Sequence, residues 1–121
     1  MLNKSDINSV ISVLKSGWLT QGSKVPEFES IISKYVGAKY GIGVNSATSA
    51  LHLSCKALGL KKNDIAWTTS NTFVSTANAA LLCDAKIDFV DIDFNTNNIC
   101  VKKLKEKLEK TKLKNLPKIL I

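Results

Sequence analysis

The spacing of four short apolar runs constrains this chain more than any other feature. They begin at Tyr40, Ile65, Lys86 and Lys118, separated by 25, 21 and 32 residues. Each interval leaves room for one helix and its turns, which is the pitch of strand-helix-strand units. The predicted class is therefore α/β, a three-layer αβα arrangement with a mainly parallel sheet covered by helices. The expected strands are Tyr40 to Val44, Ile65 to Thr69, Lys86 to Val90 and Lys118 to Ile121. Helices are expected near 47–58, closed by Gly59, near 73–82 and near 101–111. Residues 1–39 read differently. Ser5 or Asp6 can cap a helix carrying Ile7, Val10, Ile11 and Leu14 on one face. After a loop from Gly17 to Gly22, a second helix begins near Pro26, with Glu27 and Glu29 at its positive end, and stops at Gly37. The chain thus divides into N-terminal helices with their loop (1–39) and the start of a sheet domain (40–121). Ile121 interrupts an apolar strand, and a parallel sheet needs both faces buried. We therefore expect residues 1–121 to be the N-terminal portion of a longer protein.

Composition narrows the function classes. Of 121 residues, 45% are hydrophobic and 22% charged, as in a globular domain. No apolar run approaches the ~20 residues that span a bilayer, and the first residues lack a secretory pattern. A cytoplasmic location without membrane contact is expected. Cys55, Cys83 and Cys100 are far apart and form no C-x-x-C pair, so they read as free thiols and no metal site is expected. The net charge of +7 comes almost wholly from residues 102–118, where eight lysines face Glu106 and Glu109. All 17 basic residues are lysine, and without arginine the bidentate contacts favoured by DNA readers are absent. Val101, Leu104 and Leu108 lie beneath them, so the lysines read as the solvated face of an amphipathic helix and not as a nucleic-acid surface.

The stretch Gly41-Ile42-Gly43-Val44-Asn45-Ser46-Ala47-Thr48-Ser49 reads as a strand turning directly into a helix. In open parallel sheets ligands sit at the carboxyl ends of strands, where the next helix offers free N–H groups and its positive end. Small residues let backbone approach an anion and hydroxyls add donors, so a phosphate monoester suits Ser46, Ala47, Thr48 and Ser49. The alternative is that Ser46 simply caps the helix, as serine often does. A dinucleotide fingerprint lacks its third glycine here, and no P-loop Gly-Lys-Ser/Thr is present. A second strand end, Thr69-Ser70-Asn71-Thr72-Phe73, is also polar and carries one aromatic. If the two strands are neighbours, an anion site beside an aromatic platform suits pyridoxal phosphate; otherwise Phe73 is an ordinary core residue. Asp91-x-Asp93 could hold a metal and a nucleotide sugar, as in many glycosyltransferases, though a turn at a strand end is the simpler account.

Read in order, Trp18 to Glu29, Val44 to Leu53, Trp67 to Asn78 and Val90 to Asp93 resemble successive blocks of the DegT/DnrJ/EryC1/StrS sugar aminotransferases. The resemblance spans nearly the whole chain. The wording of Leu19 to Gly22 and of Ser70 to Val74 is similar to the branch that aminates C4 of a UDP-linked 4-keto-6-deoxy-N-acetylhexosamine in pseudaminic acid synthesis.

The resemblance implies the N-terminal part of the large domain of a fold-type I pyridoxal-phosphate transferase, usually a homodimer, with L-glutamate as amino donor and a UDP-sugar as acceptor. By motif position, Ala47 and Thr48 would bind the cofactor phosphate, Ser46 would also contact bound ligand, and Phe73 would stack on the pyridine ring. Trp18, Leu19, Thr20 and Gln21 match a loop near the sugar-nucleotide site, while His52 reads as packing. The family's cofactor-anchoring lysine and pyridine-pairing aspartate lie downstream of this region, so no catalytic residue is assigned and residues 1–121 alone are expected to be inactive. Ser23 stands in place of a common proline, and the usual aromatic before the first helix is absent. Two other readings stand beside this one: a truncated, non-catalytic product with exposed strand edges, and, more remotely, a manganese-dependent glycosyltransferase using Asp91 and Asp93.

Overall fold

The computed structural model describes residues 2–121 and divides into two compact units, one running to Gly43 and one spanning Val44–Ile121. The first holds α1 (Lys4–Lys15) and α2 (Lys24–Val36). Asn3, not Ser5 or Asp6, caps α1: its side chain accepts from the Ser5 and Asp6 N–H groups, and the Asp6 carboxylate accepts from the Asn3 N–H at 2.9 Å. This reciprocal pair satisfies donors that a helix start otherwise leaves unpaired. Pro26 sits inside the first turn of α2, where its missing N–H costs no helix bond. Gly37 ends α2 with φ +70°, a left-handed conformation that glycine adopts without strain.

The expected strand Tyr40 to Val44 does not form. A strand exists only through a ladder, and no ladder partner for it is present among the described residues. Its Gly41 and Gly43 instead lie against α2. Gly43 donates its N–H to the Glu29 carboxylate at 2.7 Å. A Cβ on Gly41 would stand 2.6 Å from the Glu29 carbonyl oxygen. Gly41 is therefore required by a close backbone approach, whereas a Cβ on Gly43 would meet only side-chain atoms of Val25 and Glu29.

The second unit contains α3 (Ala47–Ala57), β1 (Ile65–Thr69), α4 (Val74–Leu81), β2 (Lys86–Val90), α5 (Val101–Lys110) and β3 (Ile119–Leu120). The sheet is parallel in the order β2-β1-β3, with Ile65 opposite Lys86 and Ala66 opposite both Ile87 and Ile119. Side chains alternate across a strand, so this register gives the two faces different coats. One face carries Ala66, Ile87 and Ile119 into a core with Cys55 of α3, Ala79 and Ala80 of α4, and Cys83 and Ala85 beyond it. Alanines there let helix and sheet approach closely. The other face carries Trp67 and Asp88 toward α5: Lys107 pairs with Asp88 at 2.7 Å, donates to the Phe89 carbonyl at 2.6 Å, and lies 4.7 Å from the Trp67 ring centre. The lysine-rich helix is thus tied to the sheet by a charge, while of its expected apolar stripe Leu104 is half-buried and Val101 and Leu108 stay exposed. The three layers are α3 and α4, the sheet, and α5. Among the described residues no helix is long and apolar enough to cross a membrane.

Candidate functional site

The two polar turns come together through their helices, since the segment before α3 forms no strand beside β1. The Thr48 and Ser75 hydroxyls are 2.8 Å apart, joining the first turns of α3 and α4 at the carboxyl end of β1. Ser46 caps α3, its hydroxyl accepting from the Ser49 N–H at 3.1 Å. The Ser49 hydroxyl in turn donates to the Asn45 side chain at 2.7 Å. Ser46 therefore does perform the capping role. The cap uses the Ser49 N–H only, and the N–H groups of Ala47 and Thr48 find no protein acceptor among the described residues. They point along the positive end of the helix.

α4 begins in the same manner. Phe73 is its extended N-cap residue and provides no side-chain cap bond. Thr72 and Thr76 hydroxyls lie 3.1 Å apart across the turn, and Ser75 and Thr76 are buried. Phe73 is 58% exposed. No ionisable side chain occurs from Asn45 to Ser49 or from Ser70 to Asn78. Any anion held here would be met by fixed dipoles and hydroxyls. Ser75 was not singled out by the sequence. The signal that could have found it is a serine at the second position of a helix that follows a strand, facing another hydroxyl-bearing helix start.

In the other unit, Trp18, Leu19 and Gln21 line a cavity of about 270 Å³ together with residues of α1 and the start of α2. Thr20 does not line it. Trp18 is 70% exposed, and Gln21 has φ +53°, an uncommon conformation for a residue with a side chain. The loop thus presents an aromatic and an amide to solvent.

The Asp91 and Asp93 pair is occupied with its own turn. Asp93 Oδ1 accepts from the Asn95 and Thr96 N–H groups and the Thr96 hydroxyl, at 3.0 to 3.1 Å. The Thr96 N–H, then its hydroxyl, hold this carboxyl below its ordinary value. Asp91 Oδ1 accepts from the Ile92 N–H. Among the described residues no three His, Cys, Asp or Glu side chains converge as a metal site. The carboxylate bonds to Ile92, Asn95 and Thr96 are those of a strand-end turn.

The DegT/DnrJ/EryC1/StrS aminotransferase family model matches residues 1–117. The chain belongs to this family. The UDP-4-amino-4,6-dideoxy-N-acetyl-beta-L-altrosamine transaminase of Campylobacter jejuni strain 81-176 is 49% identical over 109 residues, covering 90% of this chain and 28% of that protein. The spore coat polysaccharide biosynthesis protein SpsC of Bacillus subtilis is 44% identical over 99 residues, covering 82% and 25%. The chain thus spans about a quarter of the length of these relatives. Among solved structures, a putative sugar aminotransferase from Streptococcus pneumoniae in its PLP form superposes with TM-score 0.83 at 27% identity, over 88% of this chain and 27% of that one. A GDP-4-keto-6-deoxymannose-3-dehydratase superposes with TM-score 0.82 at 30% identity, over 88% and 29%. The three-layer fold is accordingly that of a fragment of a fold-type I transferase, and pyridoxal phosphate is the family's cofactor.

Proposed function

We propose that the whole protein is a pyridoxal-phosphate-dependent aminotransferase that moves an amino group from L-glutamate to a UDP-linked 4-keto-6-deoxy sugar. The observation that carries this is the pair of unpaired N–H groups on Ala47 and Thr48, beside the Thr48–Ser75 joint, in a chain of this family. The residues fit a phosphate ester: they are small and uncharged, and backbone donors at a helix start bind such groups well. When bound, the cofactor supplies the electron sink that lets nitrogen pass between an amino acid and a carbonyl compound.

Each residue in this reading has a distinct task. Ala47 and Thr48 hold the phosphate through their N–H groups. Ser46 and Ser49 fix the turn so that those groups need not reorganise, which is the source of such a site's strength. The exposed ring of Phe73 gives a flat apolar surface beside the phosphate, against which a pyridine ring can lie and exclude water. Trp18, Leu19, Thr20 and Gln21 are assigned to the sugar nucleotide: aromatic surface for a base or sugar, amide and hydroxyl for its polar groups. Residues 1–39 provide that loop and 40–121 begin the cofactor domain. The protein acts as a cytoplasmic homodimer in nucleotide-sugar synthesis for surface polysaccharide.

Both aminotransferases and a dehydratase share this fold, so fold alone leaves the reaction open. The 49% identity to a UDP-sugar transaminase, against 30% to the dehydratase, supports amino transfer. The deciding experiment gives the whole protein pyridoxal phosphate, L-glutamate and a UDP-4-keto-6-deoxy-N-acetylhexosamine. Stoichiometric 2-oxoglutarate and amino sugar are expected, and Phe73→Ala should weaken cofactor retention. Water loss from the sugar without 2-oxoglutarate would replace this reading with the dehydratase one.

A further inference from the structure

The amino edge of the same sheet carries a second concave surface, of opposite construction. A cavity of about 730 Å³ is lined by Lys86 of β2, Lys110 at the end of α5, and Lys112 and Lys114 in the turn that follows, with Asp88 and Trp67 on its floor. The four lysines are exposed and come from three successive pieces of chain. Together with Lys102, which lies outside the cavity, they are the lysines of this region that the local carboxylates leave over. Asp88 is taken by Lys107 at 2.7 Å, Glu106 faces Lys103 at 3.9 Å and Glu109 faces Lys105 at 4.0 Å. Among the described residues none of Lys86, Lys110, Lys112 and Lys114 has a carboxylate within ion-pair distance.

A solvated helix face spreads its charge outward, and most of α5 does so. These four lysines instead border one concavity, and an anion that neutralised several of them at once would relieve their mutual repulsion. Lys107 and Lys110 complement the negative end of α5, which accounts for one of the four. Helix-end electrostatics does not call for Lys86, which enters from β2.

We propose that this cavity is a binding site for a compact, multiply charged phosphate-bearing anion, separate from the site at the helix starts. Lysine ammonium groups contact phosphate as point charges, without the fixed fork of arginine. The site therefore selects for charge density more than for shape. An inorganic pyrophosphate and a nucleoside diphosphate both present this chemistry.

The test is calorimetric titration of the whole chain with inorganic pyrophosphate and, separately, with ADP at low salt. Saturable binding of pyrophosphate is expected, weakened about tenfold in a Lys112→Gln, Lys114→Gln double variant. A Lys102→Gln, Lys105→Gln variant removes equal charge outside the cavity and should change the affinity less than about twofold. Tighter binding of ADP than of pyrophosphate assigns the anion to a nucleotide, and equal binding assigns it to the phosphates alone. Absence of saturable binding, or equal loss in the two double variants, would overturn the proposal.

Discussion

The two ends of one three-stranded sheet answer the same electrostatic problem by opposite means. At the carboxyl end of β1, the starts of α3 and α4 offer backbone N–H groups and hydroxyls and carry no ionisable side chain. At the amino end, four lysines with no carboxylate partner among the described residues line an open cavity, and Lys118 pairs with Asp64 at 3.1 Å. Backbone donors are set in place by the helix and lose little freedom on binding. Lysine side chains give up rotamer entropy and answer to salt. The first construction suits a permanently held group, and the second an exchanging one.

The largest effect should come from placing a charge where the structure has none. Ala47 is exposed and its side chain makes no polar contact, so Ala47→Asp costs the fold little and its carboxylate favours the helix start. A phosphate beside the same N–H groups would meet a like charge worth about 3 kcal/mol at close range, or about a 100-fold loss of cofactor affinity. Pyridoxal phosphate binding, followed by absorbance, should collapse while the urea midpoint holds or rises. Unchanged affinity would remove the phosphate from this turn.

A second change tests whether the two helix starts form one unit. Thr48→Val keeps the shape and deletes the hydroxyl, leaving the buried Ser75 hydroxyl without its partner at 2.8 Å. A buried hydroxyl left unsatisfied costs about 2 kcal/mol, to be read from urea unfolding. A cost near zero would mean that the joint is incidental.

These two sites were not equally legible in the sequence. Small and hydroxyl residues at Asn45 to Ser49 identified the helix start, because local propensity and anion chemistry ask for the same residues there. The neighbour was missed: strand pairing was expected to join the two turns, whereas the Thr48–Ser75 bond joins their helices. Tyr40 to Val44 misled because apolar alternation marks an extended segment, not the ladder partner that makes it a strand. Helical periodicity located α5 and its solvated lysines. It could not show that Lys86, sixteen residues before Lys102, joins Lys110 to Lys114 around one cavity.

Salt should separate the two constructions further. Raising sodium chloride from about 0.05 M to about 0.5 M shortens the screening length severalfold. Pyrophosphate affinity at the lysine cavity should fall about tenfold, and cofactor affinity at the helix starts by less than about twofold. Parallel losses in the two titrations would erase the distinction between fixed dipoles and mobile charges.

The smallest effect is a pH dependence confined to the ion pairs near the amino end and under α5. Lys118 beside Asp64, and Lys107 beside Asp88, hold these two carboxyls below their ordinary values, each lysine acting mainly through a side-chain hydrogen bond. A depressed folded-state value means that the unfolded chain binds the proton more readily. The associated stability is therefore present above the unfolded value, about 4, and is lost as pH falls through the folded one. Both pairs are partly exposed, so solvent screening keeps the effect modest. The Lys118→Gln variant should match the parent more closely at pH 3 than at pH 7 in urea midpoint. Thr48→Val alters a joint with no titratable group, and its cost should be the same at both pH values. A Thr48→Val cost that varied with pH would place an unrecognised charge at the helix starts and break the contrast between the two ends of the sheet.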